Sequence, residues 1–130
     1  MKVRRKEAAT VEDSRLLHPN QVYVVYGISF KASPQFLIYE PNELSFPFFV
    51  ASEAVDLIDA RLSNHWLYSP ELPSTDAYSH RAALISFEAM IRDRRFYQAL
   101  VDGERVAAST WEKARSLIDA EANGRVVSSL

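Results

Sequence analysis

Apolar side chains recur at every second position from Gln21 to Phe30, which is the period of a β-strand. After a break at Lys31–Pro34 the apolar run Gln35–Glu40 follows, so we expect the two segments to form an antiparallel hairpin. Gly27 lies inside the first strand, where a glycine indicates a bulge. Pro41–Pro47 is rich in turn residues, and its prolines lack amide donors, so it predicts a loop.

The pattern beyond this loop predicts further strands. Phe48–Val50 continues the strand pattern, whereas residues 54–62 fit the period of a strand as well as that of a helix. We favour a hairpin of Val55–Ile58 with Ser63–Ser69, because the second segment has the aromatic composition of a strand. Ala82–Phe87 alternates again and predicts the last strand.

After Asp93 the apolar period changes from two to about 3.6, which predicts two helices. We expect Asp93 to cap the first helix and Gly103 to end it in the left-handed conformation. Ser109–Glu112 has the spacing of a capping box, so the last helix is expected to begin there and to end at Gly124. The stripe expected to face the core consists of Trp111, Ala114, Leu117 and Ile118.

Strands followed by helices predict an α+β fold, in which an antiparallel sheet of about five strands carries the C-terminal helices on one face. A length of 130 residues fits a single domain that spans residues 1–130. Within it, Met1–Ser14 shows no apolar periodicity. We expect this segment to be a mobile arm or a short extra element that contributes little to stability.

Composition narrows the classes of function. The sequence has no cysteine, which excludes disulfides and thiolate metal sites and fits a reducing compartment. No apolar run approaches the ~20 residues that span a bilayer, and acids follow the basic start Lys2–Lys6 where a signal peptide needs an apolar segment. We therefore expect a cytoplasmic protein without membrane contact. Its formal net charge of −2 argues against nucleic acid as the main ligand.

The sequence shows no motif for catalysis or cofactor binding. Its three glycines are dispersed, which excludes a phosphate-binding loop, and its three histidines lack the spacing of metal ligands. We therefore expect no cofactor, no metal and no enzyme activity. One alternative is a small carboxylate-dependent hydrolase or ligand-binding domain, with a carboxylate pair in a pocket beside His65. The pairs that qualify are Glu40 with Glu43 and Asp56 with Asp59. Another alternative is a homo-oligomeric structural subunit.

The segment Ala32–Ser79 contains seven acidic residues and one basic residue, Arg61, and its acids are interleaved with aromatic side chains. Such a composition suits a surface that holds a basic protein through charge at its rim and aromatic residues at its centre. Trp and Tyr are enriched among the residues that dominate binding energy. The candidate partner-binding residues are Glu40, Glu43, Glu53, Asp56, Asp59, Trp66 and Tyr68.

Three segments resemble a group of small bacterial proteins that includes immunity proteins of polymorphic and contact-dependent growth inhibition toxin systems. They are Val24–Gly27, Val55–Ser63 with Trp66 after it, and Phe96–Gly103. The resemblance implies a non-enzymatic protein that binds a cognate toxin domain in the cytosol and blocks its active site, often by presenting acids to a basic nuclease. We therefore expect a toxin-neutralising protein whose partner is basic; its oligomeric state stays open.

Overall fold

The computed structural model describes residues 1–7, 16–30, 33–70 and 83–124. Within these residues, eight strands form two antiparallel sheets, and three α-helices follow the last strand. The strands are β1 (Lys2–Arg5), β2 (Val22–Val24), β3 (Gly27–Phe30), β4 (Pro34–Ile38), β5 (Phe48–Ala51), β6 (Val55–Asp59), β7 (Trp66–Ser69) and β8 (Ala83–Phe87). A short 3-10 helix (Ser52–Ala54) separates β5 from β6, and the α-helices are α1 (Glu88–Arg92), α2 (Phe96–Val101) and α3 (Arg105–Ala122).

The larger sheet has five strands in the order β5-β4-β3-β8-β7, and the smaller sheet has the order β2-β1-β6. This confirms the predicted α+β fold with a sheet of about five strands. The predicted loop Pro41–Pro47 and the antiparallel pair of β3 with β4 are also present. None of the helices in the described part of the chain is long and apolar enough to cross a membrane.

Trp111 holds helix α3 against the larger sheet. Its ring packs edge-on against Tyr26 and Tyr39, at centroid distances of 4.9 and 5.4 Å, and lies tilted against Phe87 at 5.9 Å. The Tyr26 hydroxyl also donates a hydrogen bond of 2.6 Å to the Asp119 carboxylate of the same helix. Aromatic pairs in this geometry add to the free energy gained by burying their surface, so the predicted core position of Trp111 is confirmed.

The segment from Gln21 to Phe30 is not the single strand that its alternation predicts. It forms β2 and β3, which belong to different sheets. The change of sheet occurs at Val25 and Tyr26, two successive residues that are both buried. Val25 donates its backbone amide to Met1 (3.0 Å), whereas Tyr26 donates its amide to Leu37 of β4 (2.8 Å). A single strand with one buried face cannot bury neighbouring side chains, but a junction between two sheets can.

The predicted hairpin of residues 55–58 with residues 63–69 is also wrong, although both segments contain strands. β6 pairs with β1 in the smaller sheet, and β7 pairs with β8 in the larger sheet. Residues 54–62 are therefore extended rather than α-helical beyond the 3-10 turn. Propensity identifies a strand, but the identity of its partner depends on packing that local sequence does not record.

Gly27 lies in regular register with Leu37 and Ser86, so the bulge predicted there is absent. Its role is to allow two strands to approach each other. A Cβ atom at this position would lie 2.6 Å from the Ser86 hydroxyl oxygen and 3.0 Å from the Ile85 carbonyl oxygen. The Ser86 hydroxyl lies close because it donates a hydrogen bond of 2.8 Å to the Tyr26 carbonyl.

The start of each longer helix differs from its prediction. The Asp93 carboxylate accepts a hydrogen bond of 2.9 Å from the amide of Arg95, one residue before α2 begins. Helix α3 begins at Arg105 after the extended residue Glu104, four residues before the expected capping box. Ser109 therefore lies inside the helix rather than at its start, because residues 105–108 are helical as well.

The ends of both helices agree with the prediction. Gly103 and Gly124 each have a φ of +77°, the left-handed conformation that glycine adopts without steric cost. On α3, Trp111 and Ile118 are buried, as the apolar stripe predicts, whereas Leu117 is exposed.

Part of the segment 1–14 is a structural element of the smaller sheet. Strand β1 is the central strand of that sheet, and the side chain of Val3 is fully buried between β2 and β6. Lys2–Arg5 is thus a short extra element rather than an arm. Because removal of a central strand would expose core, we now expect these residues to contribute to stability. Residues 8–14 lie outside the described residues.

We expect Val3→Ala to lower the free energy of unfolding by about 1–3 kcal/mol, because it deletes two buried methyl groups and leaves a cavity. Val22→Ala is the matched control in the neighbouring strand, since the Val22 side chain is exposed, and it should change stability by less than about 0.5 kcal/mol. Urea denaturation of both variants measures the difference. Equal effects of the two substitutions would show that β1 contributes no more than an exposed strand.

We expect Gly27→Ala to destabilise the protein by about 1–3 kcal/mol, because the added methyl group overlaps β8. Ser86→Gly removes the nearest of these atoms, so Gly27→Ala should cost about 1 kcal/mol less in the Ser86→Gly background. A double-mutant cycle by urea denaturation gives this coupling. Strict additivity of the two substitutions would contradict the close approach of β3 and β8.

Candidate functional site

The acidic residues of the segment Ala32–Ser79 do not form one surface. Glu40 is fully buried, and its carboxylate accepts hydrogen bonds of 3.0 Å from the Tyr23 hydroxyl and from the Asn42 backbone amide. A buried carboxylate with donors on both oxygens stabilises the surrounding fold. Glu40 therefore cannot contact a partner in this conformation, which differs from its predicted place on the binding surface. Glu71 and Asp76 lie outside the described residues.

Glu43 belongs to the same cluster as Glu40. The His18 imidazole Nε2 lies 3.5 Å from one carboxylate oxygen of each glutamate, and the His18 backbone amide donates a hydrogen bond of 2.8 Å to the Tyr23 hydroxyl. Burial raises the pKa of Tyr23 to about 12, and the hydrogen bond to Glu40 acts in the same direction. Tyr23 thus stays a neutral donor, and the cluster joins the loop before β2 to the loop after β4.

The remaining candidate acids lie on or beside β6. Glu53 and Asp56 are exposed, and no cation of the described residues lies within ion-pair distance of either carboxylate. Asp59 is different, because the Arg61 guanidinium contacts its carboxylate at 2.7 and 3.1 Å. These hydrogen bonds hold the pKa of Asp59 well below its usual range. Arg61 thereby neutralises one of the predicted acids, whereas Glu53 and Asp56 have no such partner in the part of the chain that the structure describes.

Exposed apolar side chains accompany these acids. In β6, Leu57 is 51% exposed and Ile58 is 45% exposed, and Tyr68 of β7 is 61% exposed. Leu62 and Leu67 are exposed as well. Trp66 is buried, so it packs in the core, while Tyr68 is accessible. We call residues 53–68 the edge segment, because β6 and β7 are outer strands of their sheets within the described residues.

Neighbouring basic residues reduce the acidity that the sequence predicts for this region. Arg4 of β1 lies in register with Asp56, and Lys2 lies in register with Asp59. The sequence places these cations some fifty residues away from the acids, so their proximity depends on strand pairing.

The sequence analysis does not identify the exposed pair Leu57–Ile58, although the sequence contains a signal for it. Two adjacent apolar residues in a regular strand point to opposite faces, so at least one of them is exposed unless both faces are covered.

A groove of about 270 Å³ lies beside His65, where the ligand-binding alternative places its pocket. Its lining consists of His65, Phe87, Glu88, Ala89, Thr110, Ala114, Leu117 and Ile118. Among these described residues Glu88 alone carries a carboxylate, so the groove does not contain the facing carboxylate pair that a hydrolase of this kind needs. The described residues contain no group of three or more His, Asp or Glu side chains placed to hold a metal ion.

Neither a protein-family model nor a curated protein nor a solved structure matches this chain. The resemblance to immunity proteins therefore stays a prediction. The edge segment contains two exposed acids that form no ion pair with the described residues, together with exposed Leu, Ile and Tyr side chains, and it is the feature best suited to bind a partner.

We expect Glu40→Gln to lower the free energy of unfolding by about 1–3 kcal/mol, because it weakens two charge-assisted hydrogen bonds in a buried site. Glu43→Gln is the matched control on a partly exposed side chain of the same cluster, and it should change stability by less than about 0.5 kcal/mol. Thermal and urea denaturation check both values. If Glu40→Gln is as stable as the parent protein, Glu40 does not have the structural role assigned to it.

Proposed function

We propose that this chain is an immunity protein, a non-enzymatic binding protein that neutralises a cognate toxin domain by covering its active-site surface. The observation that carries the proposal is the edge segment, in which exposed acids flank exposed apolar side chains on one continuous stretch of chain. A basic nuclease domain is the partner that fits this chemistry, because its substrate-binding surface carries the cations that hold phosphate groups.

Apolar contacts supply most of the binding energy in such an interface. Tyr68 combines a large accessible ring with a polar hydroxyl, the type of side chain that dominates interface energetics. Leu57, Ile58 and Leu62 of the same segment add exposed aliphatic surface. Since buried apolar area contributes roughly 25 cal/mol per Å², covering these side chains favours association, while the entropy lost on binding opposes it.

The acids act mainly on the rate and selectivity of association. Glu53 and Asp56 carry charges without an ion-pair partner in the described part of the chain, so a basic surface is attracted to them before contact. Acidic partners are repelled by the same charges. Salt screens interactions between exposed charges over about 10 Å at 0.1 M, so the association rate should fall as salt rises.

Affinity capture from the source cells tests the proposal directly. The C-terminally tagged protein is incubated with lysate at low salt and at high salt, and captured proteins are identified by mass spectrometry. We expect one stoichiometric, basic partner that is lost as salt rises and whose toxic activity stops when the complex forms. Recovery of the tagged protein alone, or a partner that remains fully active in the complex, would contradict the proposal.

We expect the double substitution Glu53→Lys with Asp56→Lys to slow association with the captured partner on the order of tenfold, with a smaller effect on dissociation. Each of these two substitutions alone changes the net charge by two units, and Glu104→Lys is the charge-matched control for each, because Glu104 is exposed and its side chain makes no capping hydrogen bond to α3. Surface plasmon resonance at several salt concentrations separates the two rates. An equal slowing by Glu104→Lys would mean that overall charge, not the edge segment, steers the partner.

A further inference from the structure

Strand β6 is paired on one side only within the described residues. Its neighbour is β1, and the smaller sheet ends at β6. An outer strand presents unpaired backbone amides and carbonyls along its free side, which can pair with a strand from another chain. β6 is five residues long, about the usual length of a strand in a globular protein, so it offers enough backbone for such pairing.

Two side chains of β6 offer apolar contact to an added strand. Val3 pairs with Leu57 in the register, so Leu57 lies on the face that Val3 buries. Ile58 lies where the register shifts between Lys2 and Val3, an irregularity that interrupts the regular alternation of faces. Both side chains are about half exposed. A strand added beside β6 would therefore cover part of the exposed surface of both.

The charges of β6 select the occupant. A second copy of the same strand would bring Asp56 and the neighbouring Glu53 of each copy to one interface, and like charges across paired strands are destabilising. Arg4 lies in register with Asp56 on the β1 side, but neither it nor another cation of the described residues forms an ion pair with Asp56. A lysine or arginine on the free side of β6 therefore gains an interaction without breaking an ion pair. Charge thus favours a basic strand over a second copy of this chain.

We propose that β6 binds a basic, extended segment of its partner by strand addition. The segment continues the smaller sheet with main-chain hydrogen bonds to the free side of β6, and it carries lysine or arginine toward Asp56 and apolar side chains toward Leu57 and Ile58. Strand addition rests on the proposed function, since it states how the edge segment engages a basic partner.

The same sheet provides an internal control for this mode of binding. Strand β2 (Val22–Val24) is the other outer strand of this sheet, on the opposite side of β1 from β6, and it contains no acidic residue. If a peptide adds to any exposed strand, both outer strands are affected. If the acids and the apolar pair of β6 select the peptide, only β6 is affected.

The test measures amide hydrogen exchange of the full ¹⁵N-labelled chain with a synthetic peptide in which lysine and valine alternate over ten residues, blocked at both ends. Amides of residues 55–59 that point away from β1 should exchange at least about tenfold more slowly with the peptide, because they gain a hydrogen bond. Exchange at Val22–Val24 should stay unchanged. Unchanged exchange at residues 55–59 with saturating peptide would overturn strand addition.

Two further peptides separate pairing from charge. A lysine–valine peptide of equal charge in which every backbone amide is N-methylated has no amide donor and cannot approach a strand closely enough to pair, so it should leave exchange in β6 unchanged; equal protection by this peptide would overturn strand addition. A glutamate–valine peptide should bind at least about tenfold more weakly, and equal binding would overturn the selection for a basic segment. Slower exchange that appears without peptide and increases with protein concentration, together with a dimer in light scattering, would identify a second copy as the occupant instead.

The variants separate this inference from the proposed function. Asp56→Lys should weaken binding of the lysine–valine peptide at least about tenfold, whereas Glu104→Lys should leave that binding unchanged. If the captured partner binds through the edge segment but leaves exchange of residues 55–59 unchanged, strand addition is wrong and the neutralising function stands. If the peptide protects β6 but no basic partner is captured from the source cells, strand addition stands and the neutralising function is wrong.

Discussion

At Val25 and Tyr26 two successive backbone amides donate hydrogen bonds in two directions, one to Met1 beside the smaller sheet and one to Leu37 in the larger sheet. Both side chains are buried, so a shift of the register by one residue would expose an apolar side chain and break both bonds. Tyr26 also holds helix α3 through the ring of Trp111 and the carboxylate of Asp119. This dipeptide thus links the two sheets to each other and to the long helix.

Local sequence predicts elements well here and their partners poorly. Strand composition identifies Val55–Ile58 and Trp66–Ser69, and the glycines at 103 and 124 mark helix ends, because these signals depend on neighbouring residues. The pairing of β6 with β1 joins residues some fifty positions apart, so local sequence predicts a hairpin of β6 with the strand that follows it instead. Lys2–Arg5 has only four residues, too few for the period of a strand to be recognised, so the sequence does not identify it as a central strand.

The candidate site shows the same division between composition and placement. Composition indicates an acidic, aromatic segment, but burial assigns different roles to its members: Glu40 stabilises the interior, Asp59 pairs with Arg61, and Asp56 stays exposed and unpaired in the described residues. Trp66 and Tyr68, two residues apart in one strand, likewise divide into a core residue and an exposed one. No property of a single sequence distinguishes a carboxylate that is enclosed by donors from one that faces solvent.

The central place of β1 has a consequence for how the chain reaches its native state. During synthesis β1 precedes its neighbour β6, which emerges from the ribosome only after about 50 further residues, and β3 waits equally long for β8. Pairings of such sequence separation raise the contact order and slow folding. Until β6 arrives, the side of β1 that it later covers is open on the nascent chain, and the larger sheet is completed later still, when residues 83–87 of β8 have emerged, so both sheets depend on protection during synthesis.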